Sequence, residues 1–262
     1  MNYDDAVQVK IIDGQRRFLA SDAYKAELLT PDASRIACPL HTRVWRYMKL
    51  EYFHRLLNDE QLYVPRVDKL GEPLEGSFCT PAGSDDHAEF RRGFMQQTFY
   101  VSCWHIAEHE SDMMWGRYLN NVDGVAIHTT VGQLLQMRLE AFEWQGYEVI
   151  PAALVGNVRY VDHADLGSFP SNDCSLFYKD LAFSGDKEFR LVFKFWSYEL
   201  QCARLSERPE YLQIGFAADQ INGVVLKSGC TSEILDSVKE LAETANRKIV
   251  VERSRLDRVP QW

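Results

Sequence analysis

The segment from Gln97 to Thr130, QTFYVSCWHIAEHESDMMWGRYLNNVDGVAIHTT, limits what this chain can fold into more than any other stretch. It opens on an alternating aromatic and β-branched run, Thr98 to Cys103, whose period of two suits a half-buried strand. A charged loop follows. Ser111-Asp112 then stands where a cap is needed for a short helix carrying Met114, Trp115 and Tyr118. The turn Asn120-Asn121-Val122-Asp123-Gly124 releases the chain into a second strand, Val125 to Thr130. Trp115 and Tyr118 are three residues apart, so an indole and a phenol share one side of that helix. Large aromatics at helical spacing are mostly packing anchors. They become a stacking wall for a planar ligand only where polar groups converge on them.

The rest of the chain mixes strands and helices without a regular βαβ rhythm. From Arg43, VWRYM reads as a strand, Leu50 to Gln61 as an amphipathic helix burying Leu50, Phe53, Leu56 and Leu57, and Leu62 to Val67 as a short strand. A turn at Pro73, Glu75 and Gly76 leads into a polar loop through Gly83-Ser84-Asp85-Asp86. Beyond the central segment, Val131 to Phe142 reads as a helix, Val149 to Asp162 as a strand or strand pair broken at Gly156-Asn157, and Ser175 to Phe183 as a helix. In KEFRLVFKFW the alternation puts Phe189, Leu191, Phe193 and Phe195 on one face and Glu188, Arg190 and Lys194 on the other. The tail reads strand, strand, helix, strand, with Thr231 or Ser232 as the helix N-cap. Gln15 to Leu29 has the spacing of a marginal helix, so residues 1–42 are expected to form an accessory arm and residues 43–262 a single domain. This element order predicts an α+β fold, with a single mixed, largely antiparallel sheet flanked by helices.

Composition narrows the function. A chain that is 46% hydrophobic and 12% aromatic can build a substantial core. The net charge of −9 argues against non-specific nucleic-acid binding and against anionic membrane surfaces, both of which need clustered positive charge. Six cysteines are scattered with no C-x-x-C pair, which fits a reduced, cytoplasmic chain without a zinc knuckle. There is no apolar run of membrane-spanning length and no charged-then-apolar leader. Gly-rich phosphate loops, H-E-x-x-H and G-x-S-x-G are absent. His105 and His109 are four residues apart but lack an evident third ligand, so no metal is expected.

Three short motifs carry a resemblance. MMWGRYLNNVDGVAI, LGEPLEG (Leu70 to Gly76) and GDKEFRLVFK (Gly185 to Lys194) resemble, in the same order, the motifs of a bacterial family known only as a domain of unknown function. Gly71 and Glu72 stand where that family has Asn-Asp, whereas Pro73, Glu75 and Gly76 keep its pattern. The order Arg46, then the Trp115 and Tyr118 wall, then Glu188 with Arg190 is also similar to the three-part layout of the ADP-ribosyltransferase superfamily. That resemblance implies an ADP-ribosyltransferase-like split sheet and NAD as substrate. It implies Glu188 and Arg46 as catalytic residues, with Arg190, Trp115, Tyr118 and Tyr47 holding the nucleotide. The chemistry is coherent: nicotinamide stacks on aromatic rings, pyrophosphate pairs with arginine, and departure of nicotinamide leaves an oxocarbenium-like cation that a carboxylate stabilises. The expected partners are a small nucleotide and a macromolecular target that the sequence leaves open. Two other classes use the same residues. A non-catalytic ligand-sensing or partner-binding module would keep Glu188 in a scaffold ion pair. A metal-dependent nuclease would combine Asp173 or Asp186 with Glu188 and Arg190.

Overall fold

The computed structural model of the protein describes residues 7–12, 15–20, 38–72, 75, 93, 96–137, 142–144, 147–149, 151–162, 176–195, 208–245 and 249–257. The chain opens on a hairpin of β1 (Val7–Ile12) and β2 (Gln15–Ala20), paired antiparallel over six positions. The helix expected from Gln15 is therefore a strand over its described part. VQVKII alternates polar and apolar residues, and pairing along the full hairpin overrides the weak helical spacing of QRRFLA.

β3 (Arg43–Lys49) runs straight into α1 (Leu50–Asp59), which buries Phe53, Leu56 and Leu57 and ends at Glu60 in the left-handed region. β4 (Gln61–Pro65) follows. β5 (Phe99–Ile106) is longer than its alternating run and takes His105 into the strand, so His105 and His109 do not share a helical face. α2 (Asp112–Leu119) and β6 (Gly124–Thr130) complete the predicted strand-helix-strand segment. α3 (Val131–Leu134) is one turn, closed by a capping box between Thr130 and Gln133, and the predicted helix to Phe142 is thus much shorter. β7 (Phe142–Trp144) and β8 (Tyr147–Val149) form a small hairpin, and β9 (Pro151–Asn157) and β10 (Arg159–Val161) give the expected interrupted pair. β11 (Tyr178–Asp180) occupies the segment that read as helical. It pairs in parallel with β10 and passes into a 3-10 helix, Leu181–Asp186, whose first turn Asp180 caps through the Ala182 N–H at 2.8 Å. β12 (Glu188–Phe195), β13 (Tyr211–Gly215), β14 (Gly223–Leu226), α4 (Ser232–Thr244, N-capped by Thr231) and β15 (Val250–Arg253) follow in the predicted order.

Seven strands form one mixed sheet in the order β15-β14-β6-β3-β5-β12-β9. The β14/β15 neighbours are parallel, whereas β14/β6, β6/β3, β3/β5 and β9/β12 are antiparallel, so the fold is α+β. Among the described residues no helix is long and apolar enough to cross a membrane.

The chain divides into two compact units. The first comprises residues 1–38, 64–103 and 138–214, the second residues 39–63, 104–137 and 215–262. In the first, Val67, Phe99, Val101, Leu176, Phe177 and Val192 pack into a core, each such side chain contributing roughly 1.5–3 kcal/mol by leaving water. In the second, Trp45, Tyr47, Met114, Trp115, Leu119, Ala126 and Val225 do the same. Gly124 is required there, because a Cβ at that position would lie 2.5 Å from the Met48 carbonyl oxygen and 2.7 Å from the Leu119 methyls.

Candidate functional site

The first unit holds a charged cluster that is almost entirely sealed from solvent. Glu188 and Arg190 are two residues apart on β12, so their side chains share one face, and the Arg190 Nε donates to Glu188 Oε2 at 2.7 Å. The same guanidinium forks onto Glu75, at 2.8 and 2.5 Å, and donates to the Leu176 carbonyl at 2.6 Å. β11 contributes Lys179. Its ammonium lies 2.9 Å from Glu188 Oε1, 3.1 Å from Asp186, 2.9 Å from Glu72 and 3.5 Å from Glu75, and 4.9 Å from the Phe183 ring centroid. Arg190 is 0% exposed, Glu188 3% and Lys179 3%. The Tyr160 hydroxyl fixes the start of the strand by accepting from the Glu188 N–H at 2.9 Å.

Burial alone would protonate such a carboxylate. It raises the Glu188 pKa, but the adjacent charges of Arg190 and Lys179 and their hydrogen bonds outweigh it and hold the group at about 2. Glu75 behaves the same way, with Arg190 overcoming the penalty of burial. Glu72 is the exception: burial raises it more than Lys179 lowers it. Burial pulls Lys179 down, yet Glu188 and Glu75 hold it above the usual lysine range, so it is a permanent cation rather than a base. Burial keeps the neighbouring Cys103 thiol protonated.

The sequence pointed to Glu188 and Arg190, grouped Asp186 with them only in the nuclease alternative, and missed Lys179 and Glu75 as their partners. A signal existed for Glu75, the residue that LGEPLEG keeps of its family pattern; that motif and the KEFR strand meet through the Glu75–Arg190 fork. Nothing comparable marked Lys179, which reads as the polar residue of an apolar run. For the nuclease alternative, Lys179 lies between Asp186 and Glu188, where a metal bridging the two would have to sit. Asp173 lies outside the described residues.

Arg46, Tyr47, Trp115 and Tyr118 belong to the second unit. Arg46 and Tyr47 are successive strand residues and face opposite ways. The Arg46 guanidinium donates to the Tyr63 carbonyl at 3.0 Å and lies 5.8 Å from the Trp104 ring centroid. Tyr47 turns to α2, edge-on to Trp115 at 4.8 Å and stacked with Tyr118 at 6.4 Å. So the structure brings Tyr47, Trp115 and Tyr118 together and puts Arg46 on the other side of β3. Trp115 is buried, its indole N–H donating to Glu110 at 2.8 Å, whereas Tyr118 is 44% exposed. The Tyr47 hydroxyl accepts from the Ser111 N–H at 2.7 Å, and burial raises its pKa far above the normal tyrosine value. Ser111 is the N-cap position of α2 but makes no side-chain cap bond.

No protein-family profile matches the chain, and no curated protein matches it in sequence. Among solved structures, the chain is similar to Thermus sp. 2.9 DarT in complex with NAD+, with a TM-score of 0.39 and 9% identity over 85% of this chain and 100% of that one. It is also similar to the same protein in complex with carba-NAD+, with a TM-score of 0.35 and 10% identity over 84% of this chain and 98% of that one.

Proposed function

We propose that the protein is an NAD-using transferase of the ADP-ribosyltransferase kind, with Glu188 as the carboxylate at its reaction centre. One observation carries the reading: Glu188 is fixed between Lys179 and Arg190 and held ionised, in a cluster of four carboxylates against two cations. In the transfer, the bond between the ribose anomeric carbon and the nicotinamide nitrogen breaks and its electron pair leaves with nicotinamide. The ribose becomes oxocarbenium-like, and a nucleophile of the acceptor closes the new bond and gives up its proton. An ionised carboxylate in a water-poor setting stabilises the intermediate cation, and the excess of anions favours that charge further. The catalytic role implied for Arg46 and the nucleotide-holding roles implied for Arg190, Tyr47, Trp115 and Tyr118 are part of the proposal.

The test is nicotinamide release from NAD by the purified full chain. Glu188→Asp keeps a negative charge beside Lys179 and Arg190 but draws the carboxylate back by one methylene, so turnover should fall at least a hundredfold while the protein stays folded. Absence of nicotinamide release by the wild-type protein would overturn the reading.

A second reading has its own observation. Both Glu188 oxygens already accept charge-assisted hydrogen bonds, as befits a structural core ion pair. The protein would then be a non-catalytic ligand-sensing module, and NAD or another nucleotide would raise its melting temperature without being consumed.

A further inference from the structure

The second unit contains a cavity of about 280 Å³ that none of the roles above uses, lined in part by Arg43, Arg253, Arg255, His109, His128 and Trp45. Its three guanidiniums are held by neutral acceptors. Arg43 donates to the Glu108 carbonyl at 2.6 Å, Arg253 to the Cys230 carbonyl at 2.7 Å and the Ser232 hydroxyl at 3.1 Å, and Arg255 to His109 Nδ1 at 3.0 Å. Among the described residues none of the three is ion-paired with a carboxylate, although Glu108, Glu110 and Glu252 line the same cavity. Glu110 is committed elsewhere, accepting from the Trp115 indole and the Ser254 hydroxyl, each at 2.8 Å, and from the Arg255 backbone N–H. Glu108 and Glu252 are exposed. His128 also lines the cavity, and among the described residues its Nδ1 is buried without a hydrogen-bond partner. Burial and the nearby Arg43 charge push its pKa below the usual histidine value.

We propose that this cavity binds the phosphate group of a small phosphomonoester. A dianion answers more than one guanidinium at once, and phosphate geometry suits the planar arginine fork. Trp45 and Val225, 4% and 6% exposed, give the apolar side against which a sugar-sized body packs. The volume of about 280 Å³ lies just below the usual range for ligand sites, which fits a phosphosugar and disfavours a whole dinucleotide. The site is independent of the NAD reading.

Calorimetric titration of the full chain with ribose 5-phosphate, ribose and inorganic phosphate, at fixed ionic strength, tests the proposal. Ribose 5-phosphate should bind at least tenfold more tightly than ribose, with inorganic phosphate competing for the same site. Arg43→Gln and Arg255→Gln should each weaken ribose 5-phosphate at least fivefold. Arg255 is exposed and donates to His109 and, through its backbone N–H, to Glu110, so its variant keeps the test open if Arg43→Gln fails to fold. Equal affinity for ribose and ribose 5-phosphate, or unchanged binding by Arg255→Gln, overturns the proposal.

Discussion

Arg190 and Arg255 carry the same guanidinium, and the two units of this chain treat it in opposite ways. In the first unit Arg190 has no exposed surface and spends its donors on two carboxylates and a carbonyl, within a cluster where Lys179 is ringed by acids. In the second, Arg255 is exposed and bonds one imidazole nitrogen through its side chain. Buried ions are tolerable only in one another's company, because each member left alone would carry the cost of its own desolvation. Exposed ions need no partner for stability, and their charge is left available to something outside the chain. The first arrangement fixes structure around Glu188. The second leaves charge at a cavity.

The sharpest way to break this contrast is to make the same substitution twice. Arg190→Gln should destabilise the protein by roughly 3–5 kcal/mol in urea unfolding, because Glu75 and Glu188 remain buried with Lys179 alone to balance them and the Glu72 and Asp186 carboxylates. A loss under about 1 kcal/mol would show that the cluster is hydrated and not sealed. Acid is a milder probe of the same feature. The folded-state pKa of Glu188, about 2, lies below its ordinary 4.5, so the unfolded chain takes up the proton first. Stability from this group is therefore complete above pH 4.5 and drains away as pH falls towards 2, by on the order of 3 kcal/mol. Glu188→Gln should lack this part of the acid transition, and an unchanged pH profile would remove Glu188 from the set of groups responsible.

Smaller effects sharpen the second unit's side. Trp115→Phe removes area and an N–H bonded to Glu110, and should cost about 1–3 kcal/mol of stability. Unaltered stability with weakened nucleotide binding would make the indole a ligand wall and not a packing anchor. Tyr47→Phe removes the acceptor of the Ser111 N–H and should cost about 0.5–1.5 kcal/mol. Arg255→Gln comes last, with a change expected within about 0.5 kcal/mol. A larger loss would mean that its charge is structural after all.

How far these features could be read from the sequence depended on the distance over which each is specified. α1, α2 and α4, the interrupted β9–β10 pair and the strand at Glu188 follow from local periodicity, and the structure has them close to their predicted bounds. β2 and β11 escaped because their pairing partners, not their own spacing, decide their state. The site behaved likewise. Glu188 and Arg190 share a strand, so alternation alone places them on one face, whereas the Lys179 and Glu75 contacts arise when separate segments meet. Alternation puts these charges on one face without saying what covers it; from Glu188 to Phe193 the described side chains of both faces are buried, and only the fold reveals that the charges of Glu188 and Arg190 are sealed in. Trp115 and Tyr118 also split, since three residues of helix turn one ring into the core and leave the other at the surface.

The fork between Arg190 and Glu75 has an evolutionary consequence. Any single substitution at either position leaves the partner buried with its bidentate fork unanswered and only Glu188 or Lys179 as counter-charge, so two viable sequences that differ at both are separated by less stable intermediates. Lys179 extends the constraint to Glu72, Asp186 and Glu188, which tie to the same ammonium. These positions can drift only as a set. Among distant descendants of a common ancestor, paired replacement by apolar residues at Glu75 and Arg190 should therefore be seen more often than loss of one charge alone.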